Sequence, residues 1–498
     1  MKLISISTDR KVFDEHSDVR KRVIEYGKIF DKLDIVVFSK TGSVTQIAEH
    51  VWVHSTSSKN KLSYIFDAFK IASKLITPDS VISTQDPFET GFAGLLLKLK
   101  YKAPFRAELH TDFANRYFIT HSVLNFMRFP LGLFVLSFAD SVRVVSGKIA
   151  KSIHALSHNV SVLPIYTELK MRNEDGGIKE KEKKEVNFLT VCRLEKEKDL
   201  GTLLKAFKKV LNNGIVASFT IVGDGGEMNS LKKLAQQLNI GNKVNFVGWQ
   251  NNLEEFYTKA DIYVSASLYE GYGMSMVEAA SSGLPLIISD TGVAGSLFKE
   301  GESAFILKQK DENGFAQAMT QLATDVELRK RMGEAAKKSA ESASISFEDY
   351  LQKYKDSVLQ AIEYHNSNRG IFKKNILLRY LVSGITGACI QIGSLYVFTD
   401  RVGLWYIYSS ILSFLIAMTV SFNLQKFWTF GDMGMQKAHH QFVKYVGVAI
   451  IGLLLNTVFM YVLVDLLHIW YIFAQIITGA LIAILNFLLY KFFIFHKQ

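Results

Sequence analysis

The stretch YEGYGMSMVEAASSGLP (269–285) sets two carboxylates, Glu270 and Glu278, eight residues apart around a pair of glycines. Alone, two glutamates at this spacing are surface charges. Here Gly271 and Gly273 let a backbone approach a ligand closely, and a helix is expected to start near Met274 or Ser275. Free N–H groups at a helix start hold phosphate well. Glu278, about a turn deeper, can reach the sugar hydroxyls of the same nucleotide. The chemistry this implies is capture of a phosphorylated sugar compound.

Something must hold that turn. The apolar run DIYVSAS (261–267) reads as the strand leading into it. Around it VNFLTVC (186–192), SFTIVGDG (218–225), KVNFVG (243–248), LPLIIS (284–289) and AFIL (304–307) read as further buried strands. Helices are expected at 200–213, 227–239 and 312–340. An earlier series has the same grammar: LISIS (3–7), DIVVFS (34–39), SVISTQ (80–85), FRAELH (105–110), SVRVVS (141–146) and VSVLPIY (160–166), with helices at 17–31 and 62–76. Strands alternating with amphipathic helices imply parallel sheets with crossover connections. MRNEDGGIKEKEKKE (171–185) has no apolar face and reads as a linker. Two doubly wound α/β domains place a ligand between them, at the carboxyl ends of the strands.

The chain has 498 residues, 48% hydrophobic and 21% charged, which excludes a disordered or collagen-like protein. The charge is unevenly spread: residues 373–498 hold nine Lys/Arg and three Asp/Glu, and all six prolines lie before them. A charged soluble part is therefore followed by an apolar, thinly basic one. Two distant cysteines exclude a disulfide framework, and the N-terminus turns charged too soon for a signal peptide. Net charge +11 arises with Lys and Glu alternating, as at 179–185, so no nucleic-acid partner is expected. No D-x-D occurs, and no metal or other cofactor is expected. LNFMRFPLGLFVLSF (124–138) is too short for a span and is expected as a buried helix beside the strand at 141–146.

The 269–285 stretch resembles the E-x7-E signature of glycosyltransferase family 4, which has the GT-B fold of two Rossmann-like domains. VCRLEKEKDLGTLLKAF (191–207), FTIVGDGGEM (219–228) and KVNFVGWQNNLEEFYTKADIYVSAS (243–267) resemble that family's other segments in order and spacing. The likeness covers about residues 1–365. It implies that Arg193 and Lys198 neutralise the leaving diphosphate of a nucleotide-sugar, that Glu270 binds the transferred sugar and Glu278 the ribose, and that backbone N–H groups near Gly273 and Met274 hold phosphate. It implies that His110, after the strand FRAEL, contacts the donor sugar and is needed for transfer. Thr111 and Asp112 are weaker candidates. It also implies a retaining, metal-independent reaction. The family often carries a Gly-rich loop after the first strand; this chain has STDRKVFDEHSDVRKR (7–22), where Asp18, Arg20 and Arg22 either meet an anionic acceptor or form a solvated face.

Apolar runs at about 377–398, 406–425, 443–464 and 472–490 are each long enough to cross a bilayer. Lys373, Lys374 and Arg379 precede the first, Lys426, Lys437 and Lys444 separate the middle pair, and Lys491 and Lys497 follow the last, while the other two loops hold only Arg401 as a basic residue. Both termini are therefore expected in the cytoplasm. The second pair of runs repeats the first at an offset of 65: Arg379-Tyr380 matches Lys444-Tyr445, Gly387 matches Gly452, and Phe430 matches Phe495. A pseudo-twofold along the membrane normal should relate the copies. Gln391, Asn423, Gln425, Asn456, Gln475 and Asn486 are expected to face the bundle interior. RYLVSGITGA (379–388) and FNLQKFWTF (422–430) resemble the GtrA-like membrane family, associated with polyprenyl-phosphate-linked sugars.

Three domains are thus expected: 1–168 acceptor-side Rossmann-like, 169–365 nucleotide-sugar-binding with a return helix, and 373–498 an all-α four-span membrane domain. The expected activity is hexosyl transfer from a nucleotide-sugar to a membrane-borne acceptor, polyprenyl phosphate or a polyprenyl-linked glycan. The membrane part would be a lipid-linked-sugar translocase loaded by the front domain, or only an anchor. Lys426 and Lys491 are its candidate lipid-phosphate contacts, or else positive-inside markers snorkelling to the interface.

Overall fold

The computed structural model describes residues 1–58, 61–154, 159–166, 185–367, 376–432, 434–435, 438–463, 477–478, 481–483, 485–487, 489–490 and 494–495. The expected linker, apart from Glu185, lies outside these residues, as do Lys491, Gln475 and much of the expected fourth span. The chain forms two compact units, Met1–Asn125 with Ala139–Ser367 and Phe126–Phe138 with Asn368–Gln498.

The first unit contains two sheets. In the first, β1 (Lys2–Ser7), β2 (Lys32–Val37), β3 (Val44–Ala48), β4 (Val51–Ser55), β5 (Ser80–Thr84), β6 (Phe105–Leu109), β7 (Ser141–Val144) and β8 (Val160–Val162) are ordered 3-4-2-1-5-6-7-8. All pairs are parallel except β3 with β4. That edge hairpin was not among the expected strands. β3 (VTQIA) is interrupted by Thr45 and Gln46 and largely exposed, and β4 (VWVHS) ends in His54 and Ser55, so neither has the longer apolar run that marks the other strands.

In the second sheet, β9 (Val186–Val191), β10 (Ala217–Val222), β11 (Val244–Gly248), β12 (Ile262–Ser265), β13 (Leu286–Ser289) and β14 (Ala304–Leu307) are ordered 11-10-9-12-13-14, all parallel. The order reverses between β9 and β12, where the loops from their carboxyl ends leave a crevice. Helix Leu200–Asn212 buries Leu200, Leu203, Leu204, Phe207 and Val210, a single helical stripe, against Phe188 and Phe219 of this sheet. The helix expected at 312–340 is two, Glu312–Thr324 and Val326–Ser342. Asp325 breaks it, its carboxylate accepting from Leu328 N–H at 2.9 Å to cap the second. Helix Phe347–Ser367 buries Tyr350, Tyr354, Val358 and Ala361 in the core of the first sheet. Residues grouped by sequence with the second domain thus complete the first.

In the second unit, Arg379–Arg401 and Tyr406–Thr429 are helices long and apolar enough to cross a membrane, each ending in a π turn, and Ala438–Tyr461 is a third helix. The repeat is visible in side-chain contacts. Tyr380 meets Phe487 at 5.3 Å between ring centroids, and its counterpart Tyr445 meets Phe422, the counterpart of Phe487, at 5.6 Å. Phe430 and Phe495, equivalent to each other, stack at 5.1 Å. Contacts exchanged in pairs around one self-paired contact are what a pseudo-twofold produces.

Three expectations change here. Residues 126–138 fall in this second unit, with Phe134 and Phe138 packed on Trp428 at 5.0 and 5.3 Å. Asn423 is exposed and donates to Thr419 O of its own helix at 2.8 Å, whereas Gln425 is buried. Lys426 does not snorkel: it is 0% exposed, and its ammonium donates to Asp432 Oδ2 at 2.9 Å and Gln441 Oε1 at 2.7 Å. Both partners fold back from residues beyond the helix, so the charge is neutralised inside the protein and is not presented to a lipid phosphate. Asp432→Ala would leave this ammonium buried without its counter-ion, so a loss of about 3–5 kcal/mol is expected. Thermal unfolding in detergent checks it. Lys426→Met combined with Asp432→Ala should recover most of the loss, and equal damage in both variants would count against the pairing.

Candidate active site

The crevice at the β9/β12 reversal opens into a cavity of about 330 Å³ lined by His110, Arg193, Lys198, Glu270, Gly273, Met274 and Glu278 among others. Seven of the residues singled out in the first unit therefore meet at one place, drawn from loops that leave both sheets. Their positions follow from local structure. Arg193 and Lys198 lie in the loop leaving β9, where a 3-10 turn (Lys196–Lys198) ends at Asp199 in the left-handed region. Glu270 lies in the loop leaving β12. Helix Met274–Ser281 begins at Gly273, whose φ of 94° suits glycine and which has no side chain of its own to cap that end.

The charges are arranged in pairs. Lys198 Nζ donates to Glu270 Oε1 at 2.5 Å, and Ser267 Oγ donates to the same oxygen at 2.7 Å. Arg193 is 68% exposed and reaches Glu197 at 3.3 Å, so its guanidinium can turn toward a ligand without breaking a buried contact. Glu278 accepts from Tyr257 at 2.8 Å; burial, then the Glu278 charge, pushes that phenol's pKa up, so it stays a donor. Burial also pushes the Cys192 thiol in this wall up to about 12, which leaves it an unreactive wall group.

From the other sheet, His110 reaches the cavity just past β6. A methyl placed on Gly271 would lie 1.9 Å from the His110 carbonyl oxygen, so the two loops touch backbone to backbone. His110 also lines a second cavity of about 250 Å³ at the carboxyl ends of β1 and β5, walled by Ser7, Asp9, Arg22 and Gln85 on its polar side and by Val12, Val19 and Ile35 on its apolar side. Arg22 thus faces a cavity, whereas Arg20 and Asp18 pair with Glu15 and Lys21 on the surface. Thr111 and Asp112 line neither cavity.

Sequence reasoning missed what lies behind His110. Arg106 and Glu108 share its face of β6, and Arg143 sits opposite Glu108 in register on β7. The signal was present: charged residues alternate through FRAELH, a strand read as buried on both faces, where each charge needs a partner.

Residues 171–339 match the family described as "Glycosyl transferases group 1", and residues 379–495 match "GtrA/DPMS, transmembrane domain". The chain is 27% identical over 212 residues to the N-acetyl-alpha-D-glucosaminyl L-malate synthase of Bacillus anthracis, covering 40% of this chain and 55% of that one. It is 31% identical over 141 residues to the UDP-Gal:alpha-D-GlcNAc-diphosphoundecaprenol alpha-1,3-galactosyltransferase of Escherichia coli, covering 28% and 36%. The chain spans about half or less of the length of these curated relatives. Among solved structures, the sucrose-phosphate synthase of Thermosynechococcus elongatus superposes with a TM-score of 0.61 at 18% identity, over 73% of this chain and 99% of that one. Anabaena HepE, solved in complex with UDP and glucose, gives 0.56 at 16% identity over 72% and 99%. The front part therefore has the GT-B fold. The chain joins a group 1 glycosyltransferase domain to a GtrA/DPMS transmembrane domain, and the latter associates it with membranes.

Proposed function

We propose that this chain is a membrane-bound, retaining glycosyltransferase of family 4, which moves a hexose-type sugar from a nucleotide-sugar to polyprenyl phosphate or a polyprenyl-linked glycan. The observation that carries the reading is the meeting of Arg193, Lys198, Glu270, Gly273, Met274 and Glu278 with His110 in one cleft. The undecaprenol-linked substrate of the Escherichia coli relative and the GtrA/DPMS domain favour a polyprenyl acceptor.

In this reading the donor lies with its diphosphate at the start of helix Met274–Ser281, its ribose on Glu278 and its sugar between Glu270 and His110. The acceptor hydroxyl, a sugar O–H of the glycan or the P–O–H of monoprotonated polyprenyl phosphate, enters from the cavity beside Arg22. Its oxygen attacks the anomeric carbon on the face from which the diphosphate departs. The bond to the β-phosphate oxygen breaks, and that oxygen takes the acceptor's proton. Arg193 and Lys198 stabilise the charge that develops on the diphosphate, and no metal is required. Four spans hold both termini in the cytoplasm, so the donor is met on that side.

Sealed membrane vesicles carrying the full chain, given labelled UDP-glucose, UDP-galactose, UDP-N-acetylglucosamine or GDP-mannose with added polyprenyl phosphate, test this. One donor should label the lipid extract, in EDTA as well as without it, and from inverted vesicles only. Absence of lipid label from all four donors overturns the reading. A strict need for a divalent ion overturns its mechanism, and equal labelling of right-side-out vesicles overturns its orientation.

A further inference from the structure

We infer that Glu108 is a positioning residue that fixes the tautomer and orientation of His110, so that Nδ1 of the ring stands as a hydrogen-bond acceptor for a hydroxyl of the transferred sugar. The inference rests on the proposed function for the identity of that ligand. Its first half, the tautomer, does not depend on that reading.

Glu108 is surrounded by donors. Its Oε1 accepts from Arg106 at 2.9 Å and from the Tyr354 hydroxyl at 3.3 Å, and its Oε2 from Arg143 at 2.8 Å. Tyr354 lies under both guanidiniums, 4.7 Å from that of Arg106 and 5.3 Å from that of Arg143. Burial pushes the Glu108 pKa up, but Arg106, Arg143 and then His110 more than reverse this and hold it well below the usual carboxylate range. An ionised carboxylate only accepts. His110 Nε2, 3.1 Å from Glu108 Oε2, must therefore carry the hydrogen.

In a neutral ring with Nε2–H, the other nitrogen holds a lone pair. His110 Nδ1 is shielded from solvent and has no hydrogen-bond partner among the described residues, although the ring lines both cavities. A buried acceptor without a donor is costly, and a sugar hydroxyl supplies the missing half. Arg143 also donates to Leu163 O at 3.0 Å and Pro164 O at 2.8 Å, which ties Glu108 to the chain segment leaving the first sheet. The carboxylate is therefore fixed, while the ring, held through it at Nε2 and 27% exposed, keeps the small tilt by which a hydroxyl in the cavity reaches Nδ1.

The test has two parts. The full chain in lipid nanodiscs, labelled with ¹⁵N-histidine, reports ring tautomers directly; the His110 signals are those lost in His110→Asn. Neutral Nε2–H is expected in the parent protein and a mixture of tautomers in Glu108→Gln. A protonated Nδ1 in the parent, or no change in the variant, overturns the inference whatever the enzyme's donor proves to be. If Glu108→Gln does not fold, Glu108→Asp keeps the charge for the arginines while drawing it back from the ring.

The second part is a kinetic cycle with whichever of the four donors labels lipid. Glu108→Gln should lower kcat about 10- to 100-fold, with the affinity for that donor's nucleoside diphosphate unchanged within about twofold. In His110→Asn, the amide oxygen stands near the place of Nδ1 without help from Glu108, so the added Glu108→Gln should cost less than about threefold. Additive losses would mark Glu108 as merely structural. A parent protein inactive with all four donors would sink the proposed function instead, with the tautomer result standing.

Discussion

Lys198→Ala should lower sugar transfer by about 30- to 1,000-fold, the rate equivalent of about 2–4 kcal/mol of lost transition-state stabilisation. The ammonium is only 13% exposed and sits 2.5 Å from Glu270, so it is held where the proposed diphosphate and sugar meet. Its loss also frees Glu270, whose carboxylate then keeps, among the described residues, the Ser267 hydroxyl at 2.7 Å. Arg193→Ala should act in the same direction through the diphosphate alone. Because that guanidinium is 68% exposed, its removal should leave thermal stability unchanged within about 0.5 kcal/mol. Lipid-extraction assays at saturating donor, run beside thermal unfolding, separate the two effects. Full activity of either variant would sink the donor assignment.

How much of this was legible depends on where each residue's partners lie. The second-sheet wall of the cleft was legible because its parts are contiguous: a strand, two glycines, a helix start and two glutamates within seventeen residues need no knowledge of tertiary structure. The strands of the second sheet, though not their order, were also legible in their apolar runs, since short runs buried on both faces suit parallel strands. The repeat read well for a different reason. An offset of 65 superposes Tyr380 on Tyr445 and Phe430 on Phe495, and the aromatic contacts then exchange accordingly.

What failed was tertiary. The Glu108 cluster draws Arg143 from the next strand and Tyr354 from a helix 246 residues on, and sequence spacing cannot register either. Lys426 looks like any cationic flank of a span until Asp432 and Gln441 fold over it. The run at 124–138 is apolar enough to be buried, but nothing in it names Trp428 as its cover.

Gly271→Ala should abolish most turnover while sparing the fold. The added methyl would come within 1.9 Å of the His110 carbonyl oxygen and 2.7 Å of its carbon, both backbone atoms anchored at the end of β6. No rotamer relieves such a contact. The loop leaving β12 and the loop leaving β6 must separate, and with them the Glu270 and His110 walls of the cleft. A misplacement near 1 Å between reacting groups costs on the order of 100-fold, so kcat should fall by about that much. Arg193, Lys198, Gly273 and Glu278 all follow strands of the second sheet and keep their mutual geometry, so affinity for the donor's nucleoside diphosphate should change by less than about threefold. Thermal stability should fall by about 1–3 kcal/mol, the usual cost of overpacking, without loss of the folded state. Titration of that nucleoside diphosphate alongside turnover distinguishes the outcomes: loss of both would mean the loop itself had collapsed. Retained turnover would mean that the reaction proceeds with the two loops farther apart than they stand here, and His110 would then lose its claim to the donor sugar.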